Sequence, residues 1–349
     1  MKAISWDRYP QLSQSVHGKT WLTIQANLGL SPLTIDAYGR CLEDYLVFSH
    51  TRNASVETAN KEHIALYVHD LTSRQNPRGK NILVLDSGAG LANATLQQRL
   101  TAVRLFYDYL MEEGLRQDNP VGRGRYTPGK GFAGHRDRGL IPRYHKLPWI
   151  PTEQQWQDIL QVVRQESLRN RFMFALAYDA ALRREELCCL QTGDLDPAYR
   201  LVHIRAETTK GRATERVIPY SEPTNRLYMA YLDQRRALSR QRGPLFLSES
   251  RRNKGTPLSI WTWSKTIEGV AERSGVLQFT THTLRHLCLT DLARSGWGIH
   301  EIAKFAGHRN LQTTMLYVHV SGRELAEKFE RGMASIHTWR TTYLAEVLQ

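Results

Sequence analysis

The stretch from Val121 to Ile150 constrains the fold more than any other part of the sequence. It holds Gly122, Gly124, Pro128, Gly129, Gly131, Gly134, Gly139, Pro142 and Pro148. That density of glycine and proline frees φ at some positions, removes backbone donors at others, and rules out a regular helix or central strand. A chain of 349 residues exceeds the usual size of one compact domain. The break therefore separates two, predicting a first domain over 1–122, a linker over 123–150 and a second domain from 151. The linker is also basic, with Arg123, Arg125, Lys130, Arg136, Arg138, Arg143 and Lys146 facing only Asp137. In a chain of formal net charge +13 this implies an anionic partner. A glycine-rich cationic strap suits a phosphate backbone, so the expected partner is nucleic acid.

Before the strap the apolar pattern is helical. Ser31 is placed to cap a helix carrying Leu33, Ile35, Tyr38, Leu42, Tyr45 and Leu46 at near 3.6-residue spacing. Ala92 to Glu113 repeats the theme with Leu96, Leu100, Val103, Phe106, Leu110 and Met111, leaving Gln98, Arg99 and Arg104 available for DNA contact. Lys61 to Thr72 predicts a further helix, Asn76 to Gly90 a loop, and Asn119-Pro120 ends the helical run. The first domain is thus read as all-α. No apolar run approaches the roughly 18 residues of a membrane span, and Met1 to Ser15 lacks the apolar centre of a secretory signal. The expectation is a soluble protein of the cytoplasm, associated with the nucleoid and with no membrane partner. Cys41, Cys188, Cys189 and Cys288 lack metal-site spacing and are expected to be reduced, buried thiols.

After the strap, Thr152 and Gln155 form a capping-box pattern ahead of Trp156, Ile159, Leu160 and Val163. Asn170 to Leu190 predicts one helix. Leu201 with Ile204, and Val217 with Ile218, predict paired strands around a turn at Lys210-Gly211. Apart from a short apolar segment at Leu245 to Leu247, the remainder reads as helical. The fold class is therefore mainly α with a small antiparallel β-sheet in the second domain.

Several residues of this second domain together suit metal-free phosphoryl transfer. Arg183 and Glu186 are three apart, as are His282 and Arg285, so each pair shares a helix face. His308 follows Ala306-Gly307 at the end of a predicted helix, and Tyr317 lies on the next one, for which Asn310 is a plausible cap. A phosphodiester under attack gathers negative charge on its non-bridging oxygens, and Arg183 and Arg285 supply permanently charged planar donors. Tyrosine, with a pKa of about 10, needs both a proton acceptor and nearby cations to attack. His282 is read as that acceptor, His308 as a donor to phosphate, and Lys210 as the acid that protonates the departing 5′ oxygen. His282 and His286, four apart, could instead hold zinc, but an acidic neighbour and a third ligand are missing.

In the order Arg183, Lys210, His282-x-x-Arg285, Gly307-His308 and Tyr317, the sequence resembles the tyrosine recombinase, or phage-integrase, family. Leu30 to Arg123 looks like its helical, SAM-like core-binding domain, and Pro151 to about Arg323 like its catalytic domain. The resemblance implies the catalytic set Arg183, Lys210, His282, Arg285, His308 and Tyr317, with Glu186 in support. It also implies a covalent 3′-phosphotyrosine intermediate, no metal or other cofactor, and a tetramer on paired double-stranded DNA sites. Accessory DNA-bending or mobile-element proteins would accompany it. Ala181 and Ala306 depart from the family's common glycine and leucine. After Tyr317, Leu325, Ala326, Phe329, Met333 and Ile336 are spaced for an amphipathic helix. Residues 324–349 are expected to dock on a neighbouring subunit.

Three rival readings stay open at this point. One is a non-catalytic DNA-binding regulator of the same fold. Another is a metal-dependent nuclease using Glu186, Asp194 and Asp196. The third is a type IB topoisomerase that shares the chemistry but relaxes DNA. Integration, excision and transposition of a mobile element are the expected roles, and the target sequence is not legible.

Overall fold

The computed structural model describes residues 4–74, 91–122, 148–209 and 215–318. The chain divides into two compact units, Met1–His145 and Lys146–Gln349. Residues 123–147 of the linker expected over 123–150, the turn at Lys210-Gly211 and the tail from 324 lie outside the described residues, as does the expected loop from 76 to 90.

The first unit is built from helices, some of whose starts are set by side-chain caps. They are α1 (Pro10–Gln14), α2 (Val16–Asn27), α3 (Pro32–Thr51), α4 (Lys61–Ser73) and α5 (Asn93–Glu112). Ser15, Ser31 and Asn60 accept from the backbone N–H groups of Gly18, Thr34 and His63, satisfying donors that the first helical turn leaves unpaired. Trp21, Leu42, Tyr45, Tyr67, Phe106 and Tyr107 fill the core, and the hydroxyls of Tyr45 and Tyr107 meet at 2.7 Å. Leu33 and Met111, read as core residues, are exposed. Leu33 lies about 200° around α3 from Ile35, and Met111 about 100° around α5 from Leu110, which takes both off the buried rows. A polar cluster sits among the helices: Asp44 accepts from Tyr67 at 2.8 Å and Arg74 at 2.6 Å and pairs with Arg99, while Arg74 also pairs with Asp70.

The second unit begins with α6 (Glu153–Val163), opened by the Thr152–Gln155 capping box. Next come α7 (Leu168–Asp179) and α8 (Arg184–Cys188), then strands β1 (Leu195–Asp196), β2 (Leu201–Ile204) and β3 (Arg216–Pro219). Helices α9 (Glu222–Leu238), α10 (Ile260–Arg273), α11 (Thr281–Arg294), α12 (Ile299–Ala306) and α13 (Leu311–Val318) follow. The strands form one antiparallel sheet in the order β1-β2-β3, with Val202 opposite Ile218 and Ile204 opposite Arg216. Phe172, Met173, Leu176, Tyr231, Phe246 and Trp263 form the main core. The segment Leu245 to Leu247 is buried but irregular, held where the Tyr231 hydroxyl donates to the Leu245 carbonyl and accepts from the Leu247 N–H.

Two expectations need correction. The helix predicted from 170 to 190 is two helices, because Ala181 adopts φ +45° and turns the chain between α7 and α8. The alternation of apolar and polar residues gives no warning of a left-handed residue that is not glycine. Cys189, expected to be buried, is exposed, while Cys41, Cys188 and Cys288 are buried free thiols. Among the described residues no helix is long and apolar enough to cross a membrane.

Candidate active site

The turn at Ala181 is the first element of the site. A left-handed alanine costs on the order of 1 kcal/mol, and here it directs the Ala181 carbonyl at the Arg285 guanidinium, 2.5 Å away. It also makes Arg183 the residue that caps α8 rather than one inside a long helix. Glu186 reaches back to accept from the Arg183 N–H at 2.9 Å and from its guanidinium at 2.8 Å.

Glu186 is fully buried and holds a second arginine. Arg216 on β3 donates to both of its carboxylate oxygens, at 3.1 and 2.6 Å. Burial alone would raise the Glu186 pKa, but hydrogen bonding and charge from Arg216, then Arg183, hold it down at about 2. Arg216 escaped the sequence reading although its signal was present. It shares a strand face with buried Ile218, so the two-residue period of the strand puts a charge on the inner side.

The end of α12 closes the far side. Gly307 caps the helix at φ +63°, and a Cβ there would lie 2.9 Å from a terminal nitrogen of Arg216. Glycine thus serves both the backbone turn and the close approach of a guanidinium already pinned by Glu186. The preceding carbonyl, of Ala306, accepts from Arg285 at 2.6 Å. Arg285 is almost fully buried, and that burial, with the charge of Arg183, lowers its pKa to about 10. It remains a cation at neutral pH.

His308 follows directly. Its Nε2 lies 2.9 Å from Arg285, which can only donate, so Nδ1 carries the proton and donates to the Thr314 hydroxyl at 2.9 Å. Burial, then the charges of Arg285 and Arg183, push the His308 pKa to about 3. Within the protein the ring thus spans Arg285 and Thr314. Both ring nitrogens are engaged, and the ring braces Arg285.

Tyr317 lies on α13 in a small apolar cluster with Ala181, Cys288, Leu289, Ile302 and Ala306. It is only 7% exposed, so its ring is fixed by packing while its oxygen faces the polar site. Burial raises its pKa, opposed by the charges of Arg285 and Arg183. The hydroxyl lies 2.8 Å from Nδ1 of His286. His282, expected as the proton acceptor, is exposed one helical turn away, its ring stacked on that of His286 at 5.9 Å between centroids. His286 had been considered only as a zinc ligand, and among the described residues no cluster of candidate ligands could hold a metal ion. The carboxylates of the nuclease reading are engaged separately: Glu186 by arginines, Asp194 by the Gln191 N–H and Arg205, Asp196 by the Ala198 and Tyr199 N–H groups.

Arg183, Glu186, Arg285, His308 and Tyr317 thus come together from α8, α11, α13 and the end of α12, and Lys210 lies outside the described residues. The phage integrase family matches residues 151–324, and the phage integrase N-terminal SAM-like domain matches residues 21–114. The chain belongs to the phage integrase family. It is a tyrosine recombinase, an enzyme that cleaves and rejoins DNA strands in site-specific recombination. Tyrosine recombinase XerC of Corynebacterium glutamicum is 25% identical over 270 residues, covering 76% of this chain and 80% of the relative. Transposase A from transposon Tn554 of Staphylococcus aureus is 27% identical over 321 residues, covering 87% of each. Among solved structures, the Tn1549 transposon integrase in complex with transposon right end DNA has a TM-score of 0.64 at 15% identity, covering 92% of this chain and 99% of that one.

Of the DNA contacts expected in the first unit, Gln98 is exposed on α5, Arg99 is paired with Asp44, and Arg104 donates to the Val121 carbonyl at 3.2 Å. Arg123, Arg125, Lys130, Arg136 and Arg138 lie outside the described residues.

Proposed function

We propose that this recombinase cleaves double-stranded DNA through Tyr317, which becomes joined to the 3′ phosphate and releases a 5′ hydroxyl. Arg183 and Arg285 stabilise the charge that builds on the non-bridging oxygens, Glu186, itself held by Arg216, fixes Arg183, and His308 braces Arg285. Lys210 protonates the leaving oxygen. His282, at the solvent side of the same helix, is assigned to the phosphate rather than to the phenol. Attack by a partner strand's 5′ hydroxyl reverses the chemistry, so neither metal nor nucleotide cofactor is needed.

The observation that carries this reading is the seating of Tyr317 beside a cluster in which arginines outnumber carboxylates. The domains are assigned as 1–122 for core binding, 123–150 for the basic linker, 151–323 for catalysis and 324–349 for subunit docking. The active form is a tetramer on two DNA sites, acting in the cytoplasm on a mobile element, a role in keeping with the similarity to transposase A of Tn554. Gln98 and the linker cations are assigned to the DNA backbone.

The deciding experiment uses a nicked substrate carrying DNA from beside the gene, on which the cleaved strand diffuses away and covalent protein–DNA adduct accumulates. Wild type forms adduct whose DNA-linked peptide contains Tyr317, and Tyr317→Phe forms none. Adduct at an unchanged rate in that variant would overturn the assignment.

A further inference from the structure

The site contains a histidine that neither the catalytic set nor its supporting residues use. His286 sits one turn after His282 on α11, half-buried, with Nδ1 2.8 Å from the Tyr317 hydroxyl. The rings of His286 and Tyr317 lie 5.6 Å apart between centroids. We propose that His286 is the general base of strand cleavage, taking the phenolic proton of Tyr317 on Nδ1. This rests on the assignment of Tyr317 as nucleophile and deepens it.

Geometry gives the direction of transfer, and the charge around the ring sets when it can occur. The groups that face the imidazole are His282 and Arg285 on its own helix, Tyr317 on α13 and His308 after α12. Burial, then the charges of His282 and Arg285, bring the His286 pKa down to about 4. The ring is therefore neutral near pH 7, and with the phenol as donor its proton resides on Nε2. Such a group is by itself a weak base. A bound phosphodiester places a negative charge beside it, which favours the imidazolium and raises its basicity when the proton must move.

The step balances. As the Tyr317 Oη–P bond forms and the P–O5′ bond breaks, the phenolic proton passes to His286 Nδ1 and the Lys210 ammonium gives a proton to O5′. Religation returns both. The base serves the attacking oxygen and the acid the departing one, and this makes the two roles separable.

Three measurements decide the matter. His286→Asn keeps a hydrogen-bond acceptor near the Nδ1 position but removes the base, and cleavage of the nicked substrate should fall about 100-fold, with a rate that rises steadily with pH as hydroxide substitutes. A rate within a few-fold of wild type with an unmoved pH profile overturns the proposal. On a substrate whose 5′ bridging oxygen is sulfur, a leaving group needing no acid, Lys210→Ala should recover while His286→Asn stays slow. Recovery of the His286 variant would place it at the leaving group instead. Should the variant fold poorly, ¹⁵N NMR of histidine-labelled wild-type protein reads the tautomer directly, and a proton found on Nδ1 overturns the assignment. Failure of the underlying reading looks different, since Tyr317→Phe would then still form adduct.

Discussion

Asp44 in the first unit and Glu186 in the second are both single carboxylates held by two guanidiniums, and the two clusters do opposite things. Around Asp44 the account closes: Arg74 and Arg99 are met by Asp44 and Asp70, with Tyr67 supplying a further donor. Around Glu186 it stays open. Arg183 and Arg216 share the one carboxylate, and among the described residues Arg285 beside them is met only by backbone carbonyls and a neutral histidine. A closed network of buried charge is scaffold, while one with surplus cations is a place prepared for an anion. The comparison separates structural from chemical arginines better than burial does, since Arg285 and Arg216 are more deeply buried than Arg99.

Removing the carboxylate from each cluster tests this most severely. Glu186→Gln should destabilise the second unit by about 3–5 kcal/mol, because it leaves the buried Arg216 and the partly buried Arg183 without their partner. It should also slow cleavage by about 100-fold per folded molecule, as Arg183 loses its fixed position. Asp44→Asn, at a carboxylate that is one-fifth exposed, should cost about 2–3 kcal/mol and leave cleavage per folded molecule unchanged. Denaturant titration read alongside single-turnover cleavage checks both, and a cleavage defect in Asp44→Asn would erase the distinction.

Acid sharpens the same contrast. His286 and His308 have folded-state pKa values of about 4 and about 3, below the roughly 6.5 of an unfolded histidine, so the unfolded chain binds protons first as pH falls. Their contribution is complete above about pH 6.5 and is lost progressively toward pH 3. Glu186, depressed to about 2, adds a further loss once pH drops below the ordinary carboxylate range near 4.3. The first unit has His63 lowered by burial and Asp44 held low by Arg99 and Arg74 against its own burial, so it shares the direction with fewer groups. Amide hydrogen exchange at pH 7 and pH 5, corrected for intrinsic rates, should show protection falling more in α11 and α12 than in α3 and α5. Equal loss in both units would mean that the surplus of cations has no bearing on acid sensitivity.

The smallest effect concerns the turn that makes the open cluster possible. Ala181→Gly relieves about 1 kcal/mol of left-handed strain and removes a buried methyl worth about 0.8 kcal/mol. Thermal stability should hardly change and cleavage should stay near wild type. A large loss of activity would mean that the methyl group, and not only the carbonyl, sets the position of Arg285.

Much of this site could be read from residue types and order alone. Arg183, Arg285, His308 and Tyr317, which the structure brings together, stand out as candidates because few side chains suit a metal-free phosphoryl transfer, and caps at Ser31 and Thr152 followed from local chemistry. What stayed hidden depends on three-dimensional register. The choice between His282 and His286 turns on which face of α11 meets α13, and helical spacing by itself puts both on one side. Arg216 is joined to Glu186 only because β3 folds back beside α8. The break at Ala181 is a backbone event that side-chain periodicity cannot report, and through it Arg183 becomes a cap.

Gly307 gives the spacing of the cation cluster a simple origin. Its single hydrogen leaves room for Arg216, its left-handed turn swings His308 toward Arg285, and its carbonyl lies 3.5 Å from Arg183. The seat of Arg216, and with it the hold that Glu186 keeps on two guanidiniums, depends on a position that bears no side chain. A single added carbon there would act as a wedge against Arg216, without touching any group that takes part in the chemistry.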